Sequence, residues 1–201
     1  MKAWYLLGLL GVLAGCEPAS SPQTAPAPLL QGELTAERLV AVVTPQLARA
    51  NSLMADSALT EAQLDQQISV FSQLLGLTEQ LGGDKSRLYH AELLSGFGAL
   101  HARKAAFYKD KAQQAGSYSA KGYRYLDRAI SQYPDNITAR VNRGLVSAKM
   151  PEFMHKTDVA VADLSIVVQS KEFASFSPSL QQQLQQTLAD LQQRQQRLER
   201  E

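Results

Sequence analysis

Few side chains in this 201-residue sequence are of the kinds that do chemistry: one cysteine, Cys16, and three histidines, His90, His101 and His155. His90 and His101 lie eleven residues apart. A continuous helix would put them on one face, but at a rise of about 1.5 Å per residue they would stand roughly 16 Å apart, too far to share a metal ion. Zinc needs three or four converging ligands, and no stretch spaces histidines, cysteines and carboxylates to supply them. Nor does any stretch carry a G-x-S-x-G nucleophile elbow, a phosphate-cradling glycine loop or a dinucleotide-binding glycine pattern. The serines and histidines announce no triad. The expectation is a protein that is not an enzyme and holds neither metal nor cofactor.

Cys16 then needs another explanation. It follows Met1-Lys2, a small positive start, and an apolar run from Ala3 to Leu13 that includes Trp4, Tyr5, Leu6, Leu7, Leu9, Leu10 and Val12. Crossing a bilayer takes about 20 apolar residues, so this run is too short to span one. A charged start, a short apolar core and small residues at its end describe an export signal. Leu13-Ala14-Gly15-Cys16 resembles the lipobox of bacterial lipoproteins at all four positions. The resemblance implies that signal peptidase II recognises Leu13, Ala14 and Gly15 and cuts before Cys16. It also implies a diacylglycerol thioether on Cys16 and a fatty acyl chain, such as palmitate, on the new amino terminus. A lone thiol fits, because disulfides in an oxidising compartment need cysteines in pairs. Each buried methylene contributes roughly 0.8 kcal/mol, and more than one chain gives durable anchoring. Glu17, rather than an aspartate, follows the cysteine. By the same resemblance this points to the outer membrane, with the protein facing the periplasm.

Residues 1–15 are thus expected to be a signal peptide and residues 16–32 a lipidated tether. The tether carries Pro18, Pro22, Pro26 and Pro28 among Ala, Ser, Thr and Gln. Such a composition buries no core and favours extended, polyproline-like chain. Residues 33–201 have the length of one domain and are rich in Ala, Leu and Gln, with no alternating strand pattern. The fold class is all-α, with about seven helices. The first is placed over 35–50, with Pro45 as a kink or break. The second opens at a capping box, Thr60 to Gln63, and runs to Leu81 ahead of Gly82-Gly83-Asp84. A third starts near Ser86 and carries Phe107 before Gly116. The fourth, fifth and sixth cover about 118–133, 136–149 and 157–170. Ser177-Pro178 opens the last, which runs to the end of the sequence.

Gly122, Leu126, Ala129 and Pro134 resemble the second helix of a tetratricopeptide repeat, in which a small residue, a large apolar one and Ala pack against neighbours and Pro ends the unit. Gly144 stands where the next repeat's first helix carries its small packing residue. Ala160, Leu164 and Val167 then repeat the four-then-three spacing. The interval from Gly144 to Ala160 exceeds the family's, which an insertion in the loop "KMPEFMHKTD" explains. The preceding unit's first-helix motif is not recognisable. The resemblance implies antiparallel hairpins stacked as a short solenoid, with the polar, Leu-striped last helix capping the end. That helix lacks the sustained a/d spacing of a coiled coil.

The chain is nearly neutral, but its charge is uneven. Residues 101–150 hold ten Lys/Arg against three acids, and residues 31–100 hold four against eight. Arg140 and Arg143 sit one turn apart. Either the middle presents a basic face to an acidic partner segment or an anionic envelope polymer, or it packs beside the acidic first half. The export signal disfavours nucleic acid. Phe153 and Met154, in the inserted loop, either contact a partner or tuck back beneath the loop. Tyr118, Tyr123, Tyr125 and Tyr133 crowd the fourth helix and either pack or bind. The function expected is a membrane-anchored scaffold or adaptor for another envelope protein. The alternative is a ligand-binding lipoprotein accessory to a solute transport system, with a tyrosine-lined pocket between hairpins.

Overall fold

A computed structural model describes residues 33–198. Leu13, Ala14, Gly15, Cys16 and the proline-rich tether lie outside the described residues, among which there are seven α-helices and no strand.

Side-chain caps set four of the seven described helix starts. Thr35 caps α1 (Ala36–Ala55), its Oγ1 accepting the Arg38 N–H at 3.3 Å. The helix does not stop near residue 50 but passes through Pro45. Proline lacks an N–H and crowds the carbonyl four residues back. Pro45 and Ala41 are both exposed, so the disturbed side faces water while Leu39, Val43, Ala50 and Leu53 hold the buried side. In the capping box of α2 (Glu61–Leu81), the Gln63 N–H donates to Thr60 Oγ1 at 3.3 Å and the Thr60 N–H to Gln63 Oε1 at 2.9 Å. Gly82 and Gly83 then take φ values of 65° and 79°, so the chain reverses into α3 (Gly83–Lys104) across a single residue.

A short 3-10 helix, Ala105–Tyr108, closes α3, and α4 (Ala112–Gln132) begins earlier than the glycine suggests. The stretch expected as a turn before residue 118 is instead the start of α4. Gly116 costs a helix interior about 1 kcal/mol against alanine. Ala112, Gln113, Gln114 and Ala115 are good helix formers that offset it. Asn136 caps α5 (Ile137–Ala148), its side-chain oxygen accepting the Ala139 N–H at 2.8 Å. Next come α6 (Thr157–Gln169) and α7 (Pro178–Leu198), where Ser177 Oγ accepts the Leu180 N–H at 3.3 Å.

The helices form three antiparallel hairpins, α1–α2, α3–α4 and α5–α6, stacked side by side. The first helices touch in series, α1 to α3 to α5 to α7, and the second helix of each hairpin packs on the next unit: α2 on α3, α4 on α5, α6 on α7. This is a short helical-repeat stack with α7 across its end. Leu184, Leu188 and Leu191 of α7 are buried with Ala160, Leu164 and Val167 of α6. Each such leucine contributes roughly 1.5–3 kcal/mol. A larger core joins Leu39, Val43, Leu64, Phe71, Leu74, Leu93, Leu94 and Leu100 across α1, α2 and α3.

Small residues set the closest contacts. A Cβ on Gly98 would stand 2.7 Å from the Gly122 carbonyl oxygen and 2.9 Å from the Leu126 nitrogen, so the backbones of α3 and α4 meet there. A Cβ on Gly144 would stand 2.7 Å from Leu164 Cδ2. Gly122, Gly144 and Leu164 therefore pack where the repeat spacing put them. Gly98 is the partner that the sequence concealed.

Candidate binding surface

The two pairs of contact residues read from the sequence have different fates. Arg140 and Arg143 point inward and converge on Asp163 of α6, whose side chain is 0 % exposed. The Asp163 carboxylate accepts from Arg143 Nε at 2.7 Å, from the second Arg143 nitrogen at 3.0 Å and from Arg140 at 2.9 Å. Arg143 also donates to Asp127 of α4 at 3.0 Å. Burial alone would lower the Arg143 pKa; the hydrogen bonds and charge of Asp163, with those of Asp127, outweigh it and hold the guanidinium charged. A carboxylate this deep is tolerated only when its charge is met. The knot ties α5 to α6 and to α4, so both arginines are neutralised inside the fold, by acids outside the acidic first half. Lys104 is spent in the same manner. It is buried against Asp65 and reaches Glu61 at 3.3 Å, joining the basic middle to the acidic first half. Tyr108 donates to the same Glu61.

Phe153 and Met154 sit in a 3-10 turn, Glu152–Met154, between α5 and α6. Met154 is half-buried, but Phe153 is 78 % exposed. The ring does not tuck back beneath the loop. The loop itself is braced. The Met154 N–H donates to Pro151 O at 3.0 Å and the His155 N–H to Glu152 O at 2.9 Å. His155 takes a left-handed φ of 50°, Lys156 Nζ lies 4.1 Å above the Tyr123 ring, and Gln195 of α7 donates to Asp158 at 2.7 Å. Phe153, Glu152, His155, Thr157 and Asp158 line a cleft of about 400 Å³. An aromatic ring beside two carboxylates suits a partner that offers an apolar side chain next to a basic one.

The tyrosines of α4 mostly pack. Tyr123 is buried, Tyr125 meets Phe97 edge-on at 4.7 Å, and Tyr118 stacks on Tyr108 at 5.1 Å. Tyr133 lines a second cleft of about 480 Å³ with Thr78, Glu79, Arg87, His90 and Arg128. His90 and His101 both lie on α3, buried. Among the described residues, no group of three or more His, Cys, Asp or Glu side chains is arranged to hold a metal. His101 is 4 % exposed, neither ring nitrogen has a hydrogen-bond partner, and Phe97 meets it edge-on at 4.6 Å. Burial first, then the charges of Lys121 and Lys104, push its pKa down to about 4.

Two of these features carried a weak sequence signal. Asp163 is the one acid in the apolar run "VAVADLSIVV", and Thr78 stands twelve residues before His90 across the glycine turn. Compared with models of known protein families, with curated proteins and with solved structures, the chain matches none.

Proposed function

We propose that this chain is a lipid-anchored scaffold or adaptor of the bacterial outer membrane, facing the periplasm and recruiting another envelope protein. Cys16 carries the lipid after cleavage at Leu13-Ala14-Gly15, and residues 16–32 hold the helical domain away from the surface. No described helix is long and apolar enough to cross a membrane, so attachment in this proposal rests on the lipid.

The observation that carries the adaptor reading is Phe153, 78 % exposed on a loop fixed from below by α4 and α7. A large apolar side chain held in water by a braced loop is a prepared anchor, because little loop ordering remains to oppose binding. The carrier alternative asked for a pocket lined by the tyrosines of α4, and three of those four are engaged in packing.

The test has two arms. In the first, Cys16→Ser should abolish incorporation of labelled palmitate and leave the signal segment uncleaved; undiminished labelling or cleavage would sink the anchor. In the second, a photo-crosslinker is placed at Phe153 in the native envelope and, as comparison, at Arg140. A single protein captured from position 153 and lost in a Glu152→Lys, Asp158→Lys background supports the adaptor. If no protein is captured while a small molecule copurifies in stoichiometric amount, the carrier replaces it.

A further inference from the structure

The cleft at the α2–α3 turn has a feature that the packing of the fold does not account for. Its arginines are loosely paired or, among the described residues, unpaired. Arg140 and Arg143 are locked by a buried carboxylate at 3.0 Å or less. In the cleft, by contrast, Arg128 approaches Glu79 only to 4.0 Å, and Arg87 makes no ion pair among the described residues. Arg128 and the His90 imidazole thus share one carboxylate, Glu79, that is itself largely exposed, and Arg87 is left without one among the described residues.

The hydrogen bonds on the floor fix the state of His90, which is 6 % exposed. Thr78 Oγ1 lies 2.7 Å from the Leu75 carbonyl oxygen and gives it the one hydroxyl proton. With that proton on the carbonyl, the same oxygen accepts at 2.8 Å from His90 Nδ1, and this tautomer places the imidazole proton on Nδ1. The neutral ring is left with a lone pair on Nε2, 4.0 Å from Glu79 Oε1. Two acceptors face each other there with no donor between them.

We propose that this cleft is a proton-linked site for an oxyanion, a carboxylate, sulfate or phosphate group, held by Arg87 and Arg128 and by His90 Nε2 once that nitrogen is protonated. Neutral His90 offers the anion only a lone pair; protonated His90 offers a charged donor in a partly desolvated setting. Glu79 is the competitor the ligand displaces. The groups facing His90 are Thr78 and Glu79 from α2, Arg87 from its own helix, Arg128 and Gln132 from α4, and Tyr133 just beyond. Burial holds the ring's pKa down, Glu79 opposes this and Arg128 adds to it. A bound anion shifts that balance toward the protonated ring, so binding takes up a proton and strengthens as pH falls. This site is independent of the Phe153 loop and does not rest on the adaptor proposal.

The test follows the His90 ring resonances by NMR in the full chain, in neutral detergent, with sodium sulfate as probe. Sulfate keeps its charge over the range in which histidine titrates. Sodium chloride at matched ionic strength and the exposed His155 serve as references. Saturating sulfate should raise the His90 midpoint by about one pH unit. Sulfate affinity should fall by about tenfold in total as pH rises through the free and bound midpoints, and level off above them. Arg87→Gln with Arg128→Gln should abolish both effects while the helical circular dichroism stays intact. Vesicles of phosphatidylcholine with and without phosphatidylglycerol separate the sources: a shift with phosphatidylglycerol alone assigns the anion to a lipid headgroup, and a shift with sulfate alone to a soluble ligand. No shift with either, an equal shift at His155, or an undiminished shift in the double variant overturns the proposal.

Discussion

His101 makes the stability of this fold sensitive to acid, and the size of the effect follows from its surroundings. The ring is buried between Phe97 and Tyr125 with no hydrogen-bond partner, and Lys104 and Lys121 add like charge against protonation. Its pKa is about 4 in the fold against 6.5 in the free chain. Above the free-chain value neither state is protonated, so the ring imposes no penalty. As pH falls between the two values the unfolded chain takes up a proton that the folded ring refuses, and stability drops. Below the folded value both states are protonated and the loss levels off. A gap of this size amounts to a loss on the order of 3 kcal/mol in full, and about 2 kcal/mol by pH 5. His90, also held down by burial, acts in the same direction, so the wild-type slope alone does not isolate His101. Urea unfolding of the full chain should therefore be compared with His101→Phe and His101→Gln at about pH 7.5 and pH 5. Both variants should lose about 2 kcal/mol less than wild type over that interval, whatever their stability at the higher pH. Parallel pH dependences in wild type and variants would refute the account of a neutral, unpartnered imidazole.

Other expectations concern the joints of the stack. Asp163→Asn removes the charge that holds two guanidiniums and should cost about 3–5 kcal/mol in denaturant unfolding; Arg140→Gln, which leaves the two Arg143 bonds, should cost about 1.5–3 kcal/mol. A loss below about 1 kcal/mol for Asp163→Asn would mean that the knot contributes no net stability. Gly98→Ala forces a methyl group against the Gly122 carbonyl and the Leu126 nitrogen, both backbone, and should cost about 1–3 kcal/mol. Gly116→Ala, with open space at its Cβ, should instead add about 0.5–1 kcal/mol, so the two substitutions should move the melting temperature in opposite directions. Thr60→Ala should lose about 1 kcal/mol with the α2 capping box.

The elements were legible where their causes are local. Thr60-x-x-Gln63, Asn136 and Ser177-Pro178 each act within one turn, and each stands at a helix start. Errors arose where a local breaker was overruled. Pro45 and Gly116 both lie inside helices, because each sits on an exposed side with good helix formers or a buried stripe holding the rest of the turn. Gly98 was missed for another reason. Its packing partner, Gly122, lies twenty-four residues away, since α3 and α4 are long, and a motif tuned to shorter helices skips over the pair.

Charge was harder still, because one residue type has two fates that depend on the facing helix. Arg140-x-x-Arg143 and the Arg124, Arg128 pair look alike in sequence, one turn apart on helices of the same stack. The first pair is immobilised by Asp163, while Arg128 meets Glu79 only loosely. What distinguishes them is the acid, not the arginines. A carboxylate within an apolar helical stripe can be buried only if donors reach it, so Asp163 in "VAVADLSIVV" demands cations from a neighbouring helix. Glu79 makes no such demand, since it remains in contact with water at the edge of α2. An isolated acid in an apolar run therefore identifies which basic residues a fold has consumed, and Arg87 and Arg128 are not among them.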